Sequence, residues 1–176
     1  MQVKELISKA KKKDRIAQME LYRHFKAYWY AICLRYNGNR FDADDCLQNS
    51  LINIFSKLDQ FDINKGDFKS WSAQVVVNDN LMFLRKKKHN FEAFDMEMDV
   101  EDVTSISEES SIISSENLTK LIQALPEGYR TVFNLYVIEG FTHKEIASIL
   151  QISVGTSKSQ LSKARKLLQH QLEVVI

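Results

Sequence analysis

The chain is predicted to be all-α: two small helical domains joined by a flexible acidic linker, the second a helix-turn-helix domain. Three observations carry that expectation. Turn chemistry is scarce, since 176 residues hold only five Gly and one Pro, and no alternating apolar–polar strand pattern runs for long. Apolar residues recur at helical spacing behind capping residues. Charge falls in blocks: residues 1–90 carry seventeen Lys/Arg against ten Asp/Glu, residues 91–117 none against nine, and residues 118–176 seven against four. The net charge of +1 thus conceals two basic segments flanking an acidic one. That asymmetry points to a nucleic-acid partner, although on charge alone a solvated surface with a linker fits equally well.

The first domain spans residues 1–90. In FDADDCLQNSLINIFSKLDQF, Asp42 is suited to cap a helix whose Leu47, Leu51, Ile54, Phe55 and Leu58 line one face. The opposite face gathers Asp45, Gln48, Asn49, Ile52 and Ser56, and Ile52 is an unusual residue for plain solvent exposure. A loop from Asp59 to Ser70 follows, holding Phe61, Asn64, Lys65 and Phe68; Trp71 opens the next helix, which ends in Arg85, Lys86, Lys87 and Lys88. Rings, amides and cations in this order are what unpaired bases and their phosphates require. For Phe68 and Trp71 taken singly, a place in the core is the plainer reading. Residues 91–117, rich in Ser, Asp and Glu, read as linker, because scattered apolar residues and like charges disfavour a packed core.

The last domain, residues 118–176, is punctuated like a series of short helices. Pro126 suits a helix start, Val132, Phe133, Leu135, Tyr136 and Val137 supply a buried side, and Gly140 ends the helix. Thr142 and Glu145 make a T-x-x-E capping box ahead of Ile146, Ala147, Ile149 and Leu150. After a break at Gln151 and Ile152, Ser153 caps a final helix. At about 100° per residue, Ser157, Leu161, Ala164 and Leu168 form one thin seam. Thr156, Ser159, Gln160 and Lys163 share a neighbouring face, with Ser162 and Lys166 on its flank and Lys158 early in the helix. Short hydroxyls allow close approach to a duplex, Gln pairs with adenine, and Lys serves guanine or phosphate. Solvated helix faces normally mix Glu with Lys, yet Glu145 is the only acid between Thr142 and Leu172. Two helices across a short turn, the second polar outside, match a helix-turn-helix.

These residues resemble region 4 of bacterial extracytoplasmic-function (group IV, sigma-70 family) sigma factors. The resemblance rests on Leu125-Pro126-Glu127, Arg130, Val132-Phe133, Leu135, Gly140, Thr142, Glu145-Ile146-Ala147, Ser153, Gly155-Thr156, Lys158-Ser159, Leu161 and Lys163-Ala164-Arg165. Two positions depart from it. Gln151 stands where the family commonly has Gly, so the turn is expected to differ locally, a left-handed backbone costing a non-Gly residue about 1 kcal/mol. Gln160 stands where Arg is common. The first domain is similar to region 2 through Asp44-Asp45, Gln48, Phe68, Trp71, Asn78, Leu84 and Arg85, while Val77 and Met82 replace positions often polar in the family.

The resemblance implies a cytoplasmic factor that binds core RNA polymerase and directs promoter-specific initiation. Asp44, Asp45, Gln48, Asn49 and Ile52 would dock on the coiled coil of the polymerase β′ subunit, and the β flap is a further contact. Asn64, Lys65, Phe68, Trp71, Asn78, Arg85, Lys86, Lys87 and Lys88 would meet the −10 element, where the loop holds a flipped base. Thr142, Lys144, Thr156, Lys158, Ser159, Gln160, Ser162, Lys163 and Lys166 would meet the −35 element. An anti-sigma partner is common in such proteins.

No enzymatic reading competes. His24, His89, His143 and His170 are scattered, Cys33 and Cys46 form no CxxC pair, and neither a glycine-rich phosphate loop nor a nucleophile elbow is present. Catalytic residues, a metal, a cofactor and a small-molecule substrate are not expected, nor is a signal peptide or membrane span; the unpaired cysteines suit a reducing compartment. Two other classes remain open: a stand-alone helix-turn-helix regulator dimerising on a palindrome, and an adaptor gripping an acidic protein partner.

Overall fold

The computed structural model describes residues 3–91 and 115–175, with side chains for residues 3–87 and 117–172. The acidic linker, residues 91–117, lies outside the described residues apart from its helical ends at Phe91 and Ser115–Asn117. Among the described residues every regular element is helical. The chain divides into two compact units, residues 1–34 with 39–94 and residues 35–38 with 95–176.

The first unit is built from α1 (Val3–Lys11), α2 (Arg15–Tyr36), α3 (Arg40–Ser56) and α4 (Phe68–Phe91). Leu6, Ile7 and Ala10 bury one side of α1, and Asp14 starts α2 by accepting from the N–H groups of Ile16 and Ala17. The core is shared by Leu21, Trp29, Ile32 and Cys33 of α2, Cys46, Leu47 and Ile54 of α3, and Val76, Val77, Leu81 and Leu84 of α4. Two polar side chains caught inside are paired, as burial without a partner would be costly. The Trp29 indole donates to Ser72 Oγ at 2.9 Å, and the Asn80 amide donates to the Val76 carbonyl at 2.8 Å.

Two helix starts differ from the sequence expectation. α3 begins at Arg40, and its cap is Asn39, whose side chain accepts from the Asp42 N–H. Asp42 sits in the first turn and receives the Asn39 amide at 2.9 Å. Asn caps as well as Asp does, and Asn39 satisfies one of the exposed N–H donors of the first turn. α4 begins at Phe68, not Trp71, because Asp67 accepts from Ser70 N–H at 3.0 Å. That bond also holds the Asp67 carboxyl below the usual carboxylate range.

The second unit comprises α5 (Ser115–Ala124), α6 (Glu127–Phe133), α7 (His143–Leu150) and α8 (Val154–Val175). Pro126 is the cap of α6. The chain continues through one wide π-type turn, Asn134–Ile138, and leaves it at Gly140, whose φ of 79° is open to glycine without strain. Leu121 and Leu125 pack on Ala164 and Leu168, with Tyr129, Phe133, Leu167 and Leu172 around them. Val132, Leu135 and Ile146 are fully enclosed. Val137, expected on the buried side, is 46% exposed; at about 100° per residue it falls roughly 140° from Val132 and 160° from Leu135, on the opposite side of the helix.

Candidate functional site

The second unit contains a helix-turn-helix. Thr142 and Glu145 form the complete capping box of α7: the Thr142 side chain accepts from Glu145 N–H, and the Glu145 carboxylate receives Thr142 N–H at 2.8 Å and Oγ1 at 2.7 Å. Those bonds, the hydroxyl's first, hold the Glu145 carboxyl below its ordinary value. The turn closes through Gln151, which takes the left-handed conformation at φ 55°, ψ 44°. The expectation of a locally different turn is therefore corrected. Gln151 and Ile152 N–H both donate to the Ala147 carbonyl, and these helix-ending bonds outweigh the conformational cost. Ser153 Oγ accepts from Thr156 N–H at 2.9 Å and starts α8.

α8 presents the predicted seam and face. Ser157, Leu161, Ala164 and Leu168 are all buried, and the polar member is matched: Ser157 Oγ lies 2.9 Å from His143 Nδ1. The His143 ring stacks on Tyr136 with centroids 4.4 Å apart, tying the first residue of α7 to α8. Lys158, Ser159, Ser162, Lys163 and Lys166 are exposed, as are Thr142 and Lys144 on α7, while Thr156 and Gln160 are half-buried. With Glu145 engaged at its cap, the outer side of the motif carries cations and neutral hydroxyls, the surface a phosphate backbone attracts. Among the described residues no group of side chains suits a metal ion.

The first unit brings its candidates together on two surfaces. On α3, Asp44, Gln48 and Asn49 are exposed, Asp45 is half-exposed, and Ile52 stands 66% exposed beside them. Phe41, 76% exposed, falls within about 40° of Asp45, Gln48 and Ile52 at helical spacing. It escaped the sequence reading because the helix was taken to begin three residues later, after a cap at Asp42.

On α4, Trp71, Asn78 and Arg85 lie on one stripe at about 100° per residue, and exposed Gln74 and Met82 share it. Lys86 is exposed beside the stripe. Lys87 is turned away from it, its Nζ 2.8 Å from Asp42 Oδ2, and the Lys88 side chain lies outside the described residues. Asn64 and Lys65 occupy the exposed tip of the loop before α4, where Asp62 accepts from Asn64 N–H at 2.9 Å. Phe68, a candidate for base contact, is only 3% exposed. Its ring packs against Phe25, Trp29, Phe61 and Trp71 with centroids 5.2, 6.5, 5.4 and 5.7 Å away, so it anchors the loop from inside; Trp71 is half-buried.

Two basic helical modules, one a helix-turn-helix whose second helix is cationic outside, define a class of promoter-binding protein, and comparison with known proteins gives the family. The family model for sigma-70 region 2 matches residues 21–90, and that for sigma-70 region 4 matches residues 115–168. The chain is 31% identical to the ECF RNA polymerase sigma factor SigW of Bacillus subtilis over 98% of its own length and 97% of the relative's. It is 27% identical to the ECF RNA polymerase sigma-E factor of Escherichia coli K12, over 77% of this chain and 76% of that one. Among solved structures, the sigma factor RpoE of Bartonella quintana, solved with the anti-sigma factor NepR, aligns over 89% of this chain and 96% of its own with a TM-score of 0.53 and 23% identity. CnrH, solved with the cytosolic domain of CnrY, aligns over 96% of both chains with a TM-score of 0.50 and 19% identity. The chain belongs to the extracytoplasmic-function sigma factors of the sigma-70 family. It is thus a transcription initiation factor, and sigma factors are not enzymes; no helix among the described residues is long and apolar enough to cross a membrane.

Proposed function

We propose that the exposed side of α3 docks on the coiled coil of the core polymerase β′ subunit, that the α4 stripe and the loop tip at Asn64 and Lys65 capture the opened −10 element, and that α7 and α8 hold the −35 duplex. The observation that carries the reading of α3 is Ile52, two-thirds exposed among Asp44, Asp45, Gln48 and Asn49. An apolar centre ringed by polar groups is how protein contact surfaces are built. The carboxylates suit basic side chains on the coiled coil. For DNA opening, the arrangement supplies binding energy: Trp71 offers a partly exposed ring, Gln74 and Asn78 offer amides, and Arg85 and Lys86 offer cations along a single strand.

The second unit supports a β-flap contact through Val137 and Ile138, which are 46% and 40% exposed. Likeness to two structures solved with partners, NepR and CnrY, supports an anti-sigma partner. Asp45→Arg tests the central assignment. It should abolish co-purification with core polymerase while the variant keeps the parent's helical circular dichroism and thermal midpoint. Normal co-purification would remove α3 as the docking face.

A further inference from the structure

Gly128 sits inside the right-handed first turn of α6, where Gly weakens a helix relative to Ala and nothing in the backbone conformation calls for it. Its neighbourhood explains its presence. A Cβ at this position would lie 3.1 Å from Gln160 Nε2, tighter than an ordinary contact, and 3.4 Å from both Gln160 Cδ and Oε1. Gln160 is accordingly half-buried, although Ser159, Ser162 and Lys163 beside it are exposed. One turn along α8, Lys163 Nζ stands over the Tyr129 ring, 5.8 Å from its centroid, within cation–π range. Adjacent residues of α6 therefore seat two side chains of α8 that are three residues apart, and these are the two polar types best suited to reading base edges.

We propose that Gly128 and Tyr129 are specificity-determining positioning residues, which fix where Gln160 and Lys163 point and so set base preference within the −35 element without touching DNA. The proposal rests on the reading of α8 as the −35 helix. Base readout by an amide depends on both its donor and its acceptor meeting one base, so a shift of a few tenths of an ångström at Gln160 changes preference more than affinity. An added methyl moves only the flexible end of the Gln160 side chain, and Ala otherwise favours the helix.

The test is run-off transcription by core polymerase carrying the full-length factor, on templates substituted singly at each −35 position. Gly128→Ala should lower discrimination at one position by about fivefold or more, the low end of what a paired amide–base contact contributes. The other positions should hold, and the thermal midpoint should be no lower than the parent's. In a Gln160→Ala background the same change should have no further effect. Unchanged base preference, or an equal change without Gln160, overturns the proposal. Should the alanine variant fold poorly, Tyr129→Leu, which removes the ring beneath Lys163 and keeps apolar bulk, carries the test: it should alter preference at a neighbouring position, and an unaltered profile overturns the proposal. A parent protein that transcribes from promoters with no −35 preference at all removes the reading of α8 itself, a different result from a parent with preference and an indifferent Gly128→Ala.

Discussion

Gln151 shows how a single residue takes strain that its neighbours impose. It holds φ 55° and ψ 44° because two consecutive N–H groups must reach the Ala147 carbonyl to end α7. Gln151→Gly should stabilise the protein by about 0.5–1 kcal/mol, since only the side chain's steric cost is removed. Urea unfolding followed by circular dichroism reads the change, and destabilisation would mean that the Gln side chain contributes contacts. On the face of α8, Lys163→Ala should weaken −35 duplex binding by about 1–3 kcal/mol if the residue reads a base, and evenly across sequences if it meets only phosphate. Fluorescence titration distinguishes these, and unaltered affinity excludes the residue from the interface. Residue identities were legible where a type has one use, as with Glu145 at its cap. Phe68 was legible only in part: a core place was the plainer reading for its ring, yet its position beside a basic track kept it among the base-contact candidates, and packing against Trp29 and Phe61 decides for the core.

At the scale of elements, capping and seam residues set where helices start and what they bury. Leu161 lies at the centre of the α8 seam, 4% exposed, and Leu161→Ala should cost about 2–5 kcal/mol in urea unfolding. The capping box of α7 gives a pH signature. The Glu145 carboxyl is held below its ordinary value in the folded chain, chiefly by the Thr142 hydroxyl and then by its N–H. Its stabilisation is therefore complete above the unfolded carboxylate's pKa, about 4.3, and is lost as pH falls through the lower folded value. On acidification across that window the parent's thermal midpoint should fall more than that of Glu145→Gln; parallel slopes would contradict the assignment. The α7 and α8 boundaries could be read from sequence because Thr142, Glu145 and Ser153 are unambiguous caps. Those of α3 and α4 could not, since Asn39, Asp42 and Asp67 all stand near plausible starts and the choice depends on which N–H groups each side chain reaches. The same ambiguity concealed Phe41, which joins the α3 face only once the helix begins at Arg40.

For the molecule as a whole, block charge and helical periodicity were enough to anticipate two helical modules, because neither depends on long-range contacts. What sequence left out is the turning of side chains by packing: Lys87 drawn to Asp42 and Gln160 laid against Gly128. The two units belong to one family's regions 2 and 4, and the central claim is that together they direct polymerase to promoters. A stand-alone regulator would bind duplex DNA specifically without polymerase, whereas this factor should need core enzyme for tight promoter binding. The direct measurement is run-off transcription with purified core RNA polymerase and a promoter library, with and without the full-length protein. A defined start site that appears only when the protein is present is the predicted result; transcripts with no start-site preference on every template would contradict it.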